Sequence, residues 1–167
     1  MKTFFEPVQG MAGIEEIKKS FSRLGHAVMV SGCIDTQKAH LLEALGEQYP
    51  IRVVITSDEV KARQLREDCL FFDKSSIYYP AKDFIFYNAD IHGNLIVKER
   101  INAIKHIAEH KKAQREVKGD EPKKEKQEET LTVITTIDGC IDKLLPLEYI
   151  ENNVVHLEVG EEVNLTE

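Results

Sequence analysis

Short apolar runs rich in β-branched and aromatic residues recur along the chain, and stretches with helical spacing separate them. The runs are His26 to Ser31 (HAVMVS), Ile51 to Thr56 (IRVVIT), Ser76 to Tyr79 (SIYY), Leu131 to Thr136 (LTVITT) and Val154 to Val159 (VVHLEV). Runs of this length and composition, bounded by glycine, proline or polar residues, read as strands buried on both faces. Between them, Ile14, Ile17, Phe21 and Leu24 fall at i, i+3, i+7 and i+10, one stripe of an amphipathic helix closed by Gly25. Leu41, Leu42 and Leu45 mark a second helix ending near Gly46. Ser57 offers an N-cap to a third, with Asp58 and Glu59 in its first turn and Ala62, Leu65, Cys69 and Phe72 on one face. A longer helix from about Asn94 aligns Val97, Ile101, Ile104 and Ala108, and Ile137 to Leu145 is a short one ended by Pro146. Strand–helix alternation of this kind predicts an α/β fold, a mostly parallel sheet with helices on both faces.

One stretch departs from the pattern. Residues 111 to 129 hold seven basic and six acidic side chains, a sum of +1 within a chain of net charge −7, which leaves −8 for the rest. With little besides Ala113 and Val117 to bury, the stretch reads as a solvated, flexible insertion. The expected organisation is a helical lead-in over 1–24 and an α/β domain over 25–153 interrupted at 111–129. A following, truncated subdomain is expected to begin over 154–167.

The 167 residues suffice for one domain with a sizeable core. The acidic balance argues against a general nucleic-acid footprint. Apolar runs are only a few residues long and Glu6 and Pro7 interrupt the N-terminal one, so neither a membrane span nor a signal peptide is expected. Cys33, Cys69 and Cys140 are odd in number, widely spaced and without a C-x-x-C, which predicts small core residues in a reducing, cytoplasmic setting.

Three constellations bear on chemistry. Gly32 to Ala39 (GCIDTQKA) lies between strand and helix, where a phosphate-binding loop belongs, but matches G-x-x-x-x-G-K-[ST] only at Gly32 and Lys38. Gln37 stands where glycine lets backbone N–H groups close around phosphates, and Ala39 where a hydroxyl would hold Mg²⁺. The loop is therefore a degenerate one, and no cofactor is expected. His106, Glu109 and His110 spell H-x-x-E-H on a helix, two histidines one turn apart with a potential general base between them. That pattern keeps a zinc metallopeptidase as an alternative, with His156 an undistinguished further ligand; the plainer reading is solvated histidines on a charged helix end. Last, Pro80 to Tyr87 (PAKDFIFY) is followed thirteen residues on by Arg100, an aromatic connection that serves either as satellite core or as a partner surface. No Ser/His/Asp set or Cys/His nucleophile pair stands out.

Together these blocks resemble the N-terminal module of bacterial transcription-repair coupling factors, itself similar to the first domain of the excision-repair helicase subunit UvrB. The likeness is carried by the degenerate loop Gly32 to Ala39 and by strand two with its helix (VVITSDEVKARQLREDCLFF). It continues through Pro80 to Tyr87 with Arg100, and through TTIDGCIDKLLP at Thr135 to Pro146; HLEVGEEVNL resembles the opening of that family's next subdomain. Pro80, Ala81, Asp83, Tyr87 and Arg100 keep the family pattern, whereas Lys82, Phe86 and Asn88 replace its Trp, Pro and Asp. The resemblance implies a helicase-related fold with a degenerate nucleotide loop and no catalytic residue. It implies a non-catalytic part of an ATP-driven DNA translocase that displaces stalled RNA polymerase in transcription-coupled nucleotide excision repair. UvrA is then a partner mainly through the following subdomain, and polymerase and DNA are partners through parts outside this chain. A free-standing regulator with a small ligand at the switch point of the sheet is a further alternative.

Overall fold

The computed structural model describes residues 6–46, 48–72, 74–82, 90–117, 130–144, 146–153 and 160. Three strands form a parallel sheet: β1 (Ile51–Thr56), β2 (Ser76–Tyr79) and β3 (Leu131–Thr136), in the order β1-β3-β2. Each coincides with a run expected from β-branched composition. The register pairs Ile51 with Leu131 and Ser76 with Thr132, so Arg52, Val54, Ser76, Tyr78, Thr132 and Ile134 share one face.

Helices α3 (Asp35–Gly46) and α4 (Glu59–Leu70) cover that face. Ala39, Ala62 and Cys69, all fully buried, meet Tyr78 and Ile134 there, with Leu42, Val54, Leu65 and Phe72 around them. The opposite face is covered by α5 (Asp90–Val117), whose Ala103, Ile104 and Ile107 pack on Tyr79, Leu131 and Val133. The crossover β1-α4-β2 runs across the sheet in one direction and β2-α5-β3 in the other. Their helices lie on opposite faces, so both have the same hand, as parallel crossovers require. Short helices α1 (Glu6–Gln9) and α2 (Ile14–Phe21) dock on α3 through Val8, Ile14 and Ala44. The α/β class with helices on both faces is therefore observed.

Several expectations are corrected. His26 to Ser31 is not a strand: it is extended chain between Gly25 (φ 79°) and Gly32 (φ 84°), with Met29 93 % exposed. β-branched composition favours a strand only where a neighbouring ladder exists, and no strand among the described residues pairs with this run. Helix α2 ends at Phe21, not Gly25, and leaves Leu24 in solvent. The cap of α4 is Asp58, whose carboxylate accepts the Lys61 N–H at 2.8 Å, while Ser57 Oγ donates to Asp58 at 2.9 Å. Helix α5 starts at Asp90, before Asn94, and its expected stripe holds only in part: Ile104 and Ala108 face the core, joined by Arg100 and Ala103, while Val97 and Ile101 are exposed.

The same helix runs through Lys111 to Val117, so the expected insertion begins later than 111; its residues 118–129 lie outside the described residues. Lys, Ala, Gln, Arg and Glu are good helix formers, and a helix already propagating needs no apolar face to add two turns. The short helix after β3, α6 (Ile137–Ile141), stops before Leu145, and α7 (Leu147–Asn152) follows with Pro146 as its N-cap. Of the three free cysteines only Cys69 is fully buried; Cys140, on α6, is exposed. The run Val154 to Val159 lies outside the described residues.

Candidate functional site

The segment from Gly32 to Ala39 closes on itself. Gln37 directs its side-chain Oε1 back to accept the Ile34 N–H at 3.2 Å, and the Gln37 and Lys38 N–H groups both donate to Ile34 O. Lys38 Nζ is 2.6 Å from Asp35 Oδ1, one turn away on α3. That hydrogen bond and the lysine's charge hold the Asp35 carboxyl below its ordinary range. Ala39 is fully buried against Ile134 and its neighbours, so position 39 belongs to the core. A loop that cradles phosphate presents free N–H groups and an unneutralised lysine. Here an acidic side chain pairs with the lysine, and Gln37 takes up the first N–H of the turn.

Arg100 organises the opposite edge of the sheet, beside the C-terminal end of β2. Arg100 is buried on α5, with Nη1 donating to Pro80 O at 2.7 Å, Nη2 2.8 Å from Asp142 Oδ2, and the guanidinium 4.4 Å from the Tyr79 ring centre. Lys82 Nζ joins the same carboxylate at 3.1 Å. Beneath them Thr135 Oγ1 donates to Tyr79 O at 2.7 Å, and Gly139 sits so close to Thr135 Oγ1 that a Cβ there would overlap it. Burial pushes the Tyr79 phenol above its ordinary range, opposed by Arg100 and supported by Asp142.

Two segments far apart in sequence thus meet: Pro80 with its Arg100, and the Thr135 to Pro146 block with Asp142. Asp83 and Tyr87 of the same motif lie outside the described residues. With a carbonyl, a carboxylate and an aromatic ring around one guanidinium, the cluster holds chain segments in place. Sequence reasoning missed Asp142; its only signal was membership of the TTIDGCIDKLLP block.

A neighbouring arginine works similarly on the outer side of β2. Arg63 bridges Glu59 and Glu99 at 2.8 and 3.0 Å and lies 4.7 Å above the Tyr78 ring. Both acids raise the Arg63 pKa, while burial and then Glu59 push the Tyr78 phenol up to about 12 despite Arg63.

The three residues of the H-x-x-E-H pattern do not converge on one another. His110 Nε2 donates to Pro50 O at 2.9 Å, Glu109 is 3.7 Å from Lys105, and His106 is exposed. Among the described residues no group of three His, Cys, Asp or Glu side chains could hold a metal ion. Also among the described residues, no helix is long and apolar enough to cross a membrane.

A concavity of about 870 Å³ adjoins β1, and no motif in the sequence signals it. It follows β1 along its whole length, roofed by Leu42 of α3 and Leu65 of α4, with Val30 and Cys33 on its far side and Lys38 at one end. Comparison of the chain with protein-family models, curated proteins and solved structures returned no match.

Proposed function

We propose that this chain is the UvrB-like N-terminal module of a transcription-repair coupling factor, non-catalytic in itself and used for protein contacts in the cytoplasm. On this reading its fold derives from a helicase-type nucleotide domain that no longer holds a nucleotide. Its parent is the ATP-driven DNA translocase that displaces stalled RNA polymerase and recruits UvrA for nucleotide excision repair. The observation that carries the reading is the meeting of Pro80, Arg100 and Asp142, because it joins two of the blocks on which the resemblance rests. The Lys38–Asp35 pair and the Gln37 side chain support the loss of nucleotide binding.

Two measurements test it. Titration of the chain with Mg-ATP should give no binding heat, and tight, Mg-dependent binding would remove the reading. In cells, deleting the coding region of residues 1–167 should reduce preferential repair of transcribed strands; unchanged strand preference would remove the repair role while leaving the lost nucleotide site intact.

A further inference from the structure

Helices α4 and α5 lie on opposite faces of the sheet, and the order β1-β3-β2 leaves β2 outermost among the described strands. Arg63 of α4 reaches past β2 to α5. Its Nη1 and Nη2 donate to the two carboxylate oxygens of Glu99 at 3.3 and 3.0 Å, and its Nε donates to Glu59, one turn back on α4, at 2.9 Å. The guanidinium carbon lies 4.7 Å from the centre of the Tyr78 ring, which otherwise packs into the core beneath α3 and α4. One turn further along α4, Arg66 Nε donates to Ser76 O of the same strand at 3.4 Å.

A lone exposed ion pair contributes little, because water and salt screen it and two long side chains lose freedom in making it. Arg63 differs in holding a two-pronged contact with Glu99 while the same cation meets a second carboxylate and an aromatic face. Bidentate and networked pairs are the ones for which a measurable contribution is expected. The pair is nonetheless partly open to solvent, with 45 % of the Arg63 and 31 % of the Glu99 side chain exposed. Arg100, the next residue on α5, is buried, and its partner Asp142 is mostly covered. Salt shortens the reach of exposed charges from roughly 30 Å at about 0.01 M to roughly 3 Å at about 1 M, and acts much less on buried ones. The two ties of α5 therefore respond differently to ionic strength: the inner one persists and the outer one weakens.

We infer that Arg63 and Glu99 form a salt-releasable strap that closes α4 onto α5 over the outer edge of β2. At low ionic strength the strap is shut and shields the Tyr78 ring. At high ionic strength it opens, and Tyr78 with the edge beside it becomes accessible while the sheet and the Arg100 cluster stay in place. Tyr79, on the other face beneath Arg100, keeps its cover. The strap involves only α4, β2 and α5, so it is independent of any role in repair.

Hydroxyl-radical footprinting of the whole chain across a salt series, read tyrosine by tyrosine in mass spectra, tests this. Tyr149, which is exposed, serves as the reference for radical dose. Labelling of Tyr78 relative to Tyr149 should rise about fivefold from low to high salt, the upper end of what an exposed pair contributes, while Tyr79 stays protected. Glu99→Gln removes the α5 arm of the strap, and Tyr78 should then be labelled to the high-salt level at every salt concentration. Glu59→Gln removes only the arm within α4 and should leave most of the protection in place. Salt-independent labelling of Tyr78 in the unchanged protein overturns the strap, whether or not the variants fold. So does a Glu99→Gln protein that stays protected at low salt, or one that keeps the full salt response. Labelling of Tyr79 in step with Tyr78 also overturns it, since that would mean loosening of the whole edge instead of release of one bridge.

Discussion

β1 and β2 are both edge strands of one three-stranded sheet, yet they are built to opposite ends. β2 has four residues, is stopped by Pro80, and three arginines attend it. Arg63 lies over Tyr78, Arg100 lies over Tyr79, and Arg66 Nε donates to the outward carbonyl of Ser76 at 3.4 Å. β1 has six residues, ends without proline, and leaves Val53 62 % and Ile55 53 % exposed. Shortness, proline and guanidinium cover are the ordinary means of closing an edge, and their concentration on one side leaves the other free for pairing. Strand composition alone does not predict this difference, since IRVVIT and SIYY both read as buried strands.

The contrast breaks most visibly at the closed end. Arg100→Ala leaves the Pro80 carbonyl without its buried donor and Asp142 with Lys82 alone, so the loss should fall at the lower end of the range for breaking a buried pair, about 3 kcal/mol. Urea unfolding should show a midpoint well below wild type. A loss no larger than that of an exposed ion pair would mean the cluster is not what closes this side.

The next largest effect belongs to the inner wall of the open side. Gly46 is the last residue of α3, and a Cβ there would overlap Cδ of Arg52, the arginine that binds Glu43 and the Leu42 carbonyl. Its helical backbone tolerates alanine, so the penalty is purely one of space, about 1–3 kcal/mol for displacing a packed side chain. Gly46→Ala combined with Arg52→Ala should be less destabilised than the sum of the two single variants, since the clash disappears with the arginine. Strict additivity in unfolding measurements would place the cost elsewhere.

The parts of the molecule that sequence made legible are the local ones. IRVVIT, SIYY and LTVITT each form a strand because β-branched or aromatic content is a property of the segment and β3 lies between the other two. HAVMVS is also a short apolar run, but it has only two β-branched residues and forms no strand, because a strand is completed by its neighbour. Of the stripe expected on α5, Ile104 and Ala108 face the core while Val97 and Ile101 are exposed, and α5 buries Arg100 instead. A pattern of apolar residues has no way to register a guanidinium whose charge is met by a carboxylate on a distant element. Asp142 was invisible for the same reason. By contrast, the missing glycine at Gln37 and the missing hydroxyl at Ala39 are local facts that the sequence states by itself, whereas the pairing of Lys38 with Asp35 takes coordinates to see.

A smaller effect separates the two sides by pH. Asp58 caps α4 where it leaves β1, and the Lys61 N–H holds its carboxyl below the ordinary range. A depressed folded pKa contributes stability that is present above the unfolded value and disappears as pH falls through the folded one. Asp58→Asn keeps an N-capping acceptor and removes the titration, so wild type and variant should converge in thermal midpoint at acid pH and separate at neutral pH. Equal separation at both would show that the cap's charge is irrelevant to α4.

The smallest effect is the most direct comparison of the edges. Val53 points its side chain away from α3 and α4 and is largely exposed, so Val53→Lys buries no charge and disturbs no packing among the described residues. Stability should stay within about 0.5 kcal/mol of wild type, the range of surface substitutions away from special features. An edge lysine nevertheless opposes pairing with a second sheet, so the same variant should resist concentration-dependent association on heating better than wild type. On β2 a lysine in place of Tyr79 has no such freedom: the ring is buried beneath Arg100, and the new charge would face a guanidinium. If Val53→Lys destabilises as strongly as Tyr79→Lys, β1 is as closed as β2 and the asymmetry fails. If only Tyr79→Lys unfolds the protein, the open edge is a surface that the fold maintains without needing it for stability.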